Sequence, residues 1–309
     1  MPPLKVLITG GAGFIGSHIT DLLIKKNYQV VIVDNLSTGK KENLNPQATF
    51  YEGDICDFSF LEKIFKKEKP NIVNHHAAQI NVRTSLDNPQ FDAEVNIKGS
   101  LNLLELSKKY SIQKFIFVST GGAIYGDTEK RPTPENHLPK PVSPYGIAKL
   151  TVEHYLHYYN VVWGLNYIAL RYSNVYGPRQ NPHGEAGVVS IFLEKIKNNE
   201  ECLINGTGEQ TRDYVFVEDV ARANLQAIKS GKTGCFNVGT SIETSVNKLF
   251  EVISNNLTKQ VKSQHREGPK GEQKTSCLSY KSIQENLDWE PKTDINTGIK
   301  KTIDFFEVE

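Results

Sequence analysis

Cysteine is scarce. The four in this chain, Cys56, Cys202, Cys235 and Cys277, lie far apart and form no CxxC pair. That spacing excludes a disulfide framework and a zinc site, and it suits free thiols in a reducing cytoplasm, so no metal is expected. An excess of one charge is also missing: 36 Lys+Arg against 35 Asp+Glu leave +1 over 309 residues. Such a balance gives nucleic acid or an acidic membrane surface nothing to bind. No apolar run approaches the roughly 20 residues that span a bilayer. The first residues lead straight into a β-type stretch, so no leader peptide is expected. Low-complexity segments and internal repeats are absent. The remainder, 38% hydrophobic and 23% charged, is ordinary for a soluble globular protein with one large domain or two modest ones.

The most informative stretch is Leu4-Lys5-Val6-Leu7-Ile8-Thr9-Gly10-Gly11-Ala12-Gly13-Phe14-Ile15-Gly16. An apolar β-type run meets clustered glycines and then a helical pattern. Glycines there allow a tight turn and let backbone N–H groups approach an anion, which the helix N-terminus also attracts. The run Gln29-Val30-Val31-Ile32-Val33 ends in Asp34, 18 residues after Gly16. An acidic residue about 20 residues on is placed to hold an adenosine ribose. A carboxylate there repels a 2′-phosphate and favours NAD over NADP. A structural turn followed by a surface Asp is the competing reading. Lys40 and Lys41 read as a solvated loop.

Strand and helix patterns then alternate. Strands are expected at 48–51, 72–74, 114–120 and 166–172. Helices are expected over 58–69, stopped by Pro70, and over 91–110 and 144–162. Strands apolar on both faces indicate a parallel sheet covered by helices. Ligands sit beyond the carboxyl ends of such strands, which brings Gly10 to Gly16, Asp34, Asp54, Ala77 and Ser119-Thr120 to one crevice. The segment 127–143 holds Pro132, Pro134, Pro139 and Pro141 and reads as an ordered loop across its mouth. Beyond Gly177-Pro178 the strands shorten and the loops lengthen. A first domain is therefore expected over 1–176, rejoined at about 215–240, with a second formed by 177–214 and 241–309. Helices are expected near 245–257 and 280–287.

The chemistry centres on Tyr145-Gly146-Ile147-Ala148-Lys149. Residues four apart share a helix face, and an ammonium beside a phenol favours the phenolate. Tyr145 then serves as a general base near neutral pH. Tyr110-Ser111-Ile112-Gln113-Lys114 has the same spacing but falls at the amino edge of the sheet, away from the crevice, and reads as structural.

Together these motifs resemble the extended short-chain dehydrogenase/reductases, in their NAD-dependent nucleotide-sugar epimerase/dehydratase branch. The likeness also rests on Gly53-Asp54-Ile55, His75-His76-Ala77-Ala78, Val95-Asn96, Tyr125-Gly126 and Ser143-Pro144-Tyr145. It continues through Leu170-Arg171-Tyr172-Ser173-Asn174-Val175-Tyr176-Gly177-Pro178-Arg179-Gln180 and Gly208-Glu209-Gln210-Thr211-Arg212-Asp213-Tyr214. It covers nearly the whole chain. The resemblance implies a Rossmann-type doubly wound parallel α/β sheet with a smaller, mixed C-terminal substrate domain. It implies NAD held by Gly10, Gly13, Phe14, Ile15 and Gly16, by Asp34, Asn35, Ser37, Thr38 and Gly39, and by Asp54 and Ile55 at the adenine. Ala77, Ala78, Gln79 and Asn96 line the cofactor path, with Ser119, Tyr145, Lys149 and Ser173 completing the set. Asn174, the Gly187-Val188 helix start and Arg212 are implied to hold UDP. A homodimer through the helices 91–110 and 144–162 is implied as well.

The residues after the fifth strand bear on the reaction. Related dehydratases resemble Thr-Asp-Glu-Val-Tyr-Gly there, and related decarboxylases carry a Glu. This chain reads Thr120-Gly121-Gly122-Ala123-Ile124-Tyr125-Gly126, with no carboxylate. That suits an isomerase using Tyr145 and Thr120 for 4-epimerisation of a UDP-hexose through a transient 4-keto sugar. Two departures stand out. One residue is inserted before Tyr125, leaving Thr120 or Ser119 as the catalytic hydroxyl. The late Arg-Pro-Gly-Glu pattern reads Pro269-Lys270-Gly271-Glu272, with Arg266 three residues earlier as an alternative diphosphate contact. Ser276 or Cys277 falls at the position where a bulky Tyr restricts the sugar's 2-substituent. The alternatives are an epimerase of UDP-N-acetylglucosamine or UDP-glucuronate, a decarboxylase or dehydratase, and an NAD-sensing binding protein.

Overall fold

The computed structural model describes residues 3–183, 187–258, 261–268 and 273–308. The central sheet has seven strands in the order Gly234–Val238, Tyr167–Tyr172, Lys114–Thr120, Ile72–His75, Lys5–Thr9, Gln29–Asp34 and Thr49–Glu52. Every neighbouring pair is parallel. Side chains alternate across a strand, and here both faces are buried. Val6, Ile8, Val30 and Ile32 enter the core on one face, while Leu7, Val31 and Val33 enter the core on the other.

The chain begins in the middle of the sheet, with Lys5–Thr9. It builds outward through Gln29–Asp34 and Thr49–Glu52, then crosses back to Ile72–His75 on the other side of the first strand. The strand order therefore reverses between Lys5–Thr9 and Ile72–His75, and ligands of such sheets enter there. The strand Gly234–Val238 rejoins the sheet beside Tyr167–Tyr172, with Cys235 opposite Ala169.

The helix Phe58–Glu68 shows local coding well. Asp57 caps it by accepting from Phe60 N–H at 3.0 Å, Lys69 takes a left-handed φ of 47°, and Pro70 follows. The expected helix over 91–110 runs without a break from Pro89 to Lys109, but its hydrogen-bond ladder changes along the way. It runs as an α-turn at Pro89–Ala93, a π-turn at Glu94–Lys98 and an α-helix at Gly99–Lys109. A π-turn widens the hydrogen-bond ladder by one residue and is frequent at functional sites. Apolar periodicity does not reveal it.

A third core gathers Tyr176, Phe192, Phe216, Leu249, Ile253 and Ile303 from the later part of the chain. Its helices Val188–Lys197 and Val246–Asn255 are joined by Ile295–Phe306, a helix that the sequence reading does not mark. Ile283, Leu287 and Trp289 instead pack into the sheet's first core. Among the described residues no helix is long and apolar enough to cross a membrane.

Candidate active site

All seven strands point the same way, so their carboxyl ends line one edge. Gly10, Asp34, Asp54, Ala77, Thr120 and Ser173 lie at or just past those ends. Gly10 has φ +72°, and a Cβ on it would stand 2.7 Å from the Ala77 nitrogen across the switch point. A Cβ on Gly16 would stand 2.2 Å from the Gly10 carbonyl oxygen. Gly13 is the N-cap of Phe14–Lys25 and supplies no side-chain cap. The first-turn N–H groups at Phe14, Ile15 and Gly16 are thus left for an anion.

Asp34 is buried. Its Oδ2 accepts from Ala12 N–H at 3.0 Å and its Oδ1 from Leu36 N–H at 2.8 Å. Burial raises its pKa against the pull of those two donors. Each oxygen keeps a further lone pair, as a ribose hydroxyl requires. The loop after it folds on itself. Asn35 Oδ1 accepts from Ser37 N–H and hydroxyl, and Asn35 Nδ2 donates to Asp54 Oδ2 at 2.9 Å. Thr38 and Gly39 complete that loop, and Lys40 N–H returns to Ala12 O at 3.0 Å. Lys40 and Lys41 pair with Glu42 and Glu52 at the surface. Ile55 lies in the sheet's second core.

A buried hydrogen-bond chain runs beneath the crevice. Ala77 N–H donates to Thr9 Oγ1, which lies 2.7 Å from His75 Nδ1. His75 Nε2 lies 2.9 Å from Ser100 Oγ, and Ser100 donates to the Asn96 carbonyl at 2.6 Å. With Ser100 committed as donor there, His75 must carry its proton on Nε2 and accept from Thr9 at Nδ1. Burial holds its pKa well below that of a free imidazole. Asn96, inside the π-turn, donates to Gln79 O and to Asp92 Oδ1, both at 2.9 Å, and accepts from Gln79 N–H at 3.0 Å. The neighbouring backbone of 77–79 is thereby anchored from below.

The two candidate hydroxyls separate. Successive residues of a strand face opposite sides. Ser119 Oγ donates to buried Glu153 at 2.5 Å, so its proton is committed inside the fold. Thr120 Oγ1 caps the Gly121–Ile124 turn by accepting from Ala123 N–H at 3.2 Å, and its own proton stays available to another acceptor. A Cβ on Gly146 would stand 2.7 Å from the Ala123 carbonyl oxygen of that turn, so the start of the Tyr145 helix lies close to the Thr120 turn.

That helix, Pro144–Trp163, is capped by Ser143 Oγ, which accepts from Gly146 N–H at 3.2 Å. Lys149 is buried and donates to the Val118 carbonyl at 3.0 Å. Its Nζ stands 5.8 Å from the Tyr145 ring centre and 4.9 Å from that of Phe117. Burial pulls its pKa down to about 8, and the negative charge of Asp92 opposes that fall. Tyr110 lies at the far, amino edge, where it lines a separate cleft of about 350 Å³ with Ser111 and Gln113.

Ser173 follows the sixth strand and buries a hydroxyl with no hydrogen-bond partner among the described residues. Asn174 is exposed, and its N–H donates to Asp213 O at 2.9 Å, which sets it beside Arg212. Arg212 lies on a two-residue strand, Thr211–Arg212, and Nη1 donates to Thr211 O at 2.8 Å. Gly187 caps Val188–Lys197 without a side-chain bond, and a Cβ on it would stand 2.5 Å from Gln180 Nε2. Arg266 is exposed on Ser263–Arg266 and donates to Asn205 Oδ1 at 2.7 Å. Ser276 and Cys277 are buried next to the Thr211–Arg212 strand, Ser276 N–H donating to Thr211 O at 3.2 Å. Residues 269–272 lie outside the described residues.

Several supporting groups have contacts that no motif reveals. Arg171 grips Glu153 with two nitrogens, Nη2 to Oε2 at 2.6 Å and Nε to Oε1 at 3.0 Å, and Nη1 donates to Tyr125 OH at 2.7 Å. Asp213 is fully buried and accepts from Thr240 N–H and hydroxyl, Ser241 N–H and Leu278 N–H. Glu153 and Asp92 lie outside the motifs, and helical spacing is their signal: Glu153 falls four residues after Lys149, and Asp92 four before Asn96.

A glycine cradle a Cβ would fill, an uncapped helix start, a carboxylate with spare lone pairs and an orphaned buried hydroxyl together fit a dinucleotide. Fold and site define a nucleotide-binding oxidoreductase-like protein of the short-chain dehydrogenase/reductase type. Comparison narrows the class. The model of the NAD dependent epimerase/dehydratase family matches residues 6–239, and the chain belongs to that family. It is similar to a putative UDP-glucose 4-epimerase of Methanocaldococcus jannaschii, 47% identical over 302 residues and 98% of each chain. It is similar to the solved UDP-glucose 4-epimerase of Thermotoga maritima with UDP-glucose, at 50% identity, TM-score 0.94, and 98% and 99% coverage of the two chains. The Thermus thermophilus UDP-glucose 4-epimerase in complex with NAD matches at 40% identity with the same TM-score and coverage.

Proposed function

We propose that the protein interconverts UDP-glucose and UDP-galactose by 4-epimerisation, with Tyr145 as the acid/base and NAD as a resident cofactor. The observation that carries this reading is the Tyr145–Lys149 pair set against a Thr120 turn that contains no carboxylate. Epimerisation needs one proton-handling group at the 4-hydroxyl. Elimination of water needs an additional acid and base, which residues 121–126 do not offer.

Gly10 to Gly16 and Asp34 would hold NAD, with Lys149 at the nicotinamide ribose. When bound, NAD supplies a reversible hydride acceptor at C4 of the sugar. Tyr145 takes the proton from the 4-hydroxyl and returns it to the same oxygen after the sugar has presented its other face. Thr120 hydrogen-bonds that oxygen, and the Lys149 ammonium favours the phenolate. Arg212, Asn174 and the Gly187-Val188 helix start hold the nucleotide diphosphate. Arginine suits that task because its planar fork gives paired, charged hydrogen bonds. Residues 1–176 with 215–240 form the NAD-binding half, and 177–214 with 241–309 hold the nucleotide sugar over it. The protein acts in galactose metabolism as a cytoplasmic homodimer.

The small side chains of Ser276 and Cys277 favour one further substrate, a UDP-hexose with an N-acetyl group at C2. Incubation with UDP-galactose and no added cofactor tests the main reading, and UDP-glucose should form. A parallel reaction with UDP-N-acetylgalactosamine reports the second substrate. A 4-keto-6-deoxy sugar or carbon dioxide as the sole product, from the appropriate substrates, would overturn the epimerase assignment.

A further inference from the structure

Asp92 is 1% exposed on Pro89–Ala93, the segment just before the π-turn, which packs against the Tyr145 helix. Its two oxygens differ. Oδ1 accepts from Gln79 Nε2 and Asn96 Nδ2, both at 2.9 Å, while Oδ2 is buried with no hydrogen-bond partner among the described residues. A buried carboxylate with one idle oxygen is costly unless a cation compensates it. Burial raises the Asp92 pKa, and the bonds from Gln79 and Asn96 and the positive charge of Lys149, buried on the helix packed against this segment, oppose that rise. Among the described residues, the other groups facing Lys149 carry no charge: His75 and His76 are held neutral by burial, Phe117 and Tyr145 present rings, and Val118 presents a carbonyl. One turn further along the helix, Glu153 is engaged by Arg171 and Ser119.

We propose that Asp92 is a positioning residue that keeps Lys149 charged beneath Tyr145 and so sets the pH range over which Tyr145 accepts a proton. Gln79 and Asn96 clamp Oδ1, and the clamp holds the idle oxygen, with its share of the charge, in place. The π-turn sets this geometry, since Asn96 must reach both Asp92 and the backbone of Gln79. The inference rests on Tyr145 being the base.

Asp92→Asn is the informative variant. Its amide carbonyl can still accept from Gln79 and Asn96, so the shape is kept and only the charge is lost. Without that charge Lys149, already lowered to about 8 by burial, loses its proton at a lower pH. The phenolate then loses its cation, and the acid limb of the kcat profile moves to higher pH. A shift of about one pH unit corresponds to about a tenfold loss of kcat at pH 7. KM for UDP-galactose, NAD released on denaturation and thermal melting should stay close to the parent values. An unmoved profile would overturn the proposal, as would a loss that merely tracks lost NAD or lowered melting. Asp92→Ser is read in the same way should the amide variant not fold. Tyr145→Phe separates the two ideas. It should abolish turnover while NAD stays bound, and full activity there would remove the base assignment itself, whatever Asp92→Asn does.

Discussion

His75 shows how a single residue serves a site without touching it. Its ring joins the first and fourth strands to the π-turn through Thr9 and Ser100. Both ring nitrogens are occupied, so the fold has no place for a second proton. The folded pKa lies well below the unfolded value of about 6.5. Below pH ~6.5 the unfolded chain gains a proton that the fold refuses, so the stabilisation is present above that pH and lost as the pH falls. One such group contributes a slope of up to ~1.4 kcal/mol per pH unit. Urea unfolding at pH 7.5, 6.0 and 5.0 should show that slope reduced in His75→Gln relative to the parent, and identical slopes would refute it. The motif makes His75 visible in the sequence. Its role is not, because Ser100 lies 25 residues away and only packing brings the hydroxyl to the ring.

At the scale of elements, the glycine turn and the π-turn contrast. The turn is legible because its constraint is local: Gly10 needs a left-handed φ, and Gly16 meets a carbonyl six residues back in its own chain. Gly16→Ala must displace that carbonyl, and overpacking of this kind costs about 1–3 kcal/mol. We expect the variant to fold with a lowered melting temperature and to release far less NAD on denaturation. NAD content equal to the parent would show that the turn does not hold the cofactor. The π-turn at Glu94–Lys98 is hidden because its cause is tertiary. Gln79 and Asn96 exchange hydrogen bonds across 17 residues, and Ser100 occupies the Asn96 carbonyl. The same limit applies to Thr120 and Ser119, which only the Glu153 contact separates.

For the whole molecule, the exposed face of Pro144–Trp163 is the unspent feature. Ile147, Tyr155, Tyr158 and Val162 lie exposed at helical spacing, with Phe91 exposed on the neighbouring segment. Monomeric proteins rarely leave such a stripe uncovered. We expect sedimentation at about twice the 34.7 kDa chain mass, and conversion to a monomer by Tyr158→Glu with Val162→Glu. A parent protein that sediments as a monomer would remove the homodimer. Sequence by itself determined the parallel sheet, the edge where the strands end, the glycine turn and the Tyr145–Lys149 pair. Each depends on side-chain alternation, helical spacing or a turn's own sterics, all readable within a few residues. Tertiary structure decided which hydroxyl is committed, where the π-turn falls and which carboxylate answers Lys149. Those depend on groups far apart in the chain, brought together by burial in a medium that makes each unpaired polar atom costly.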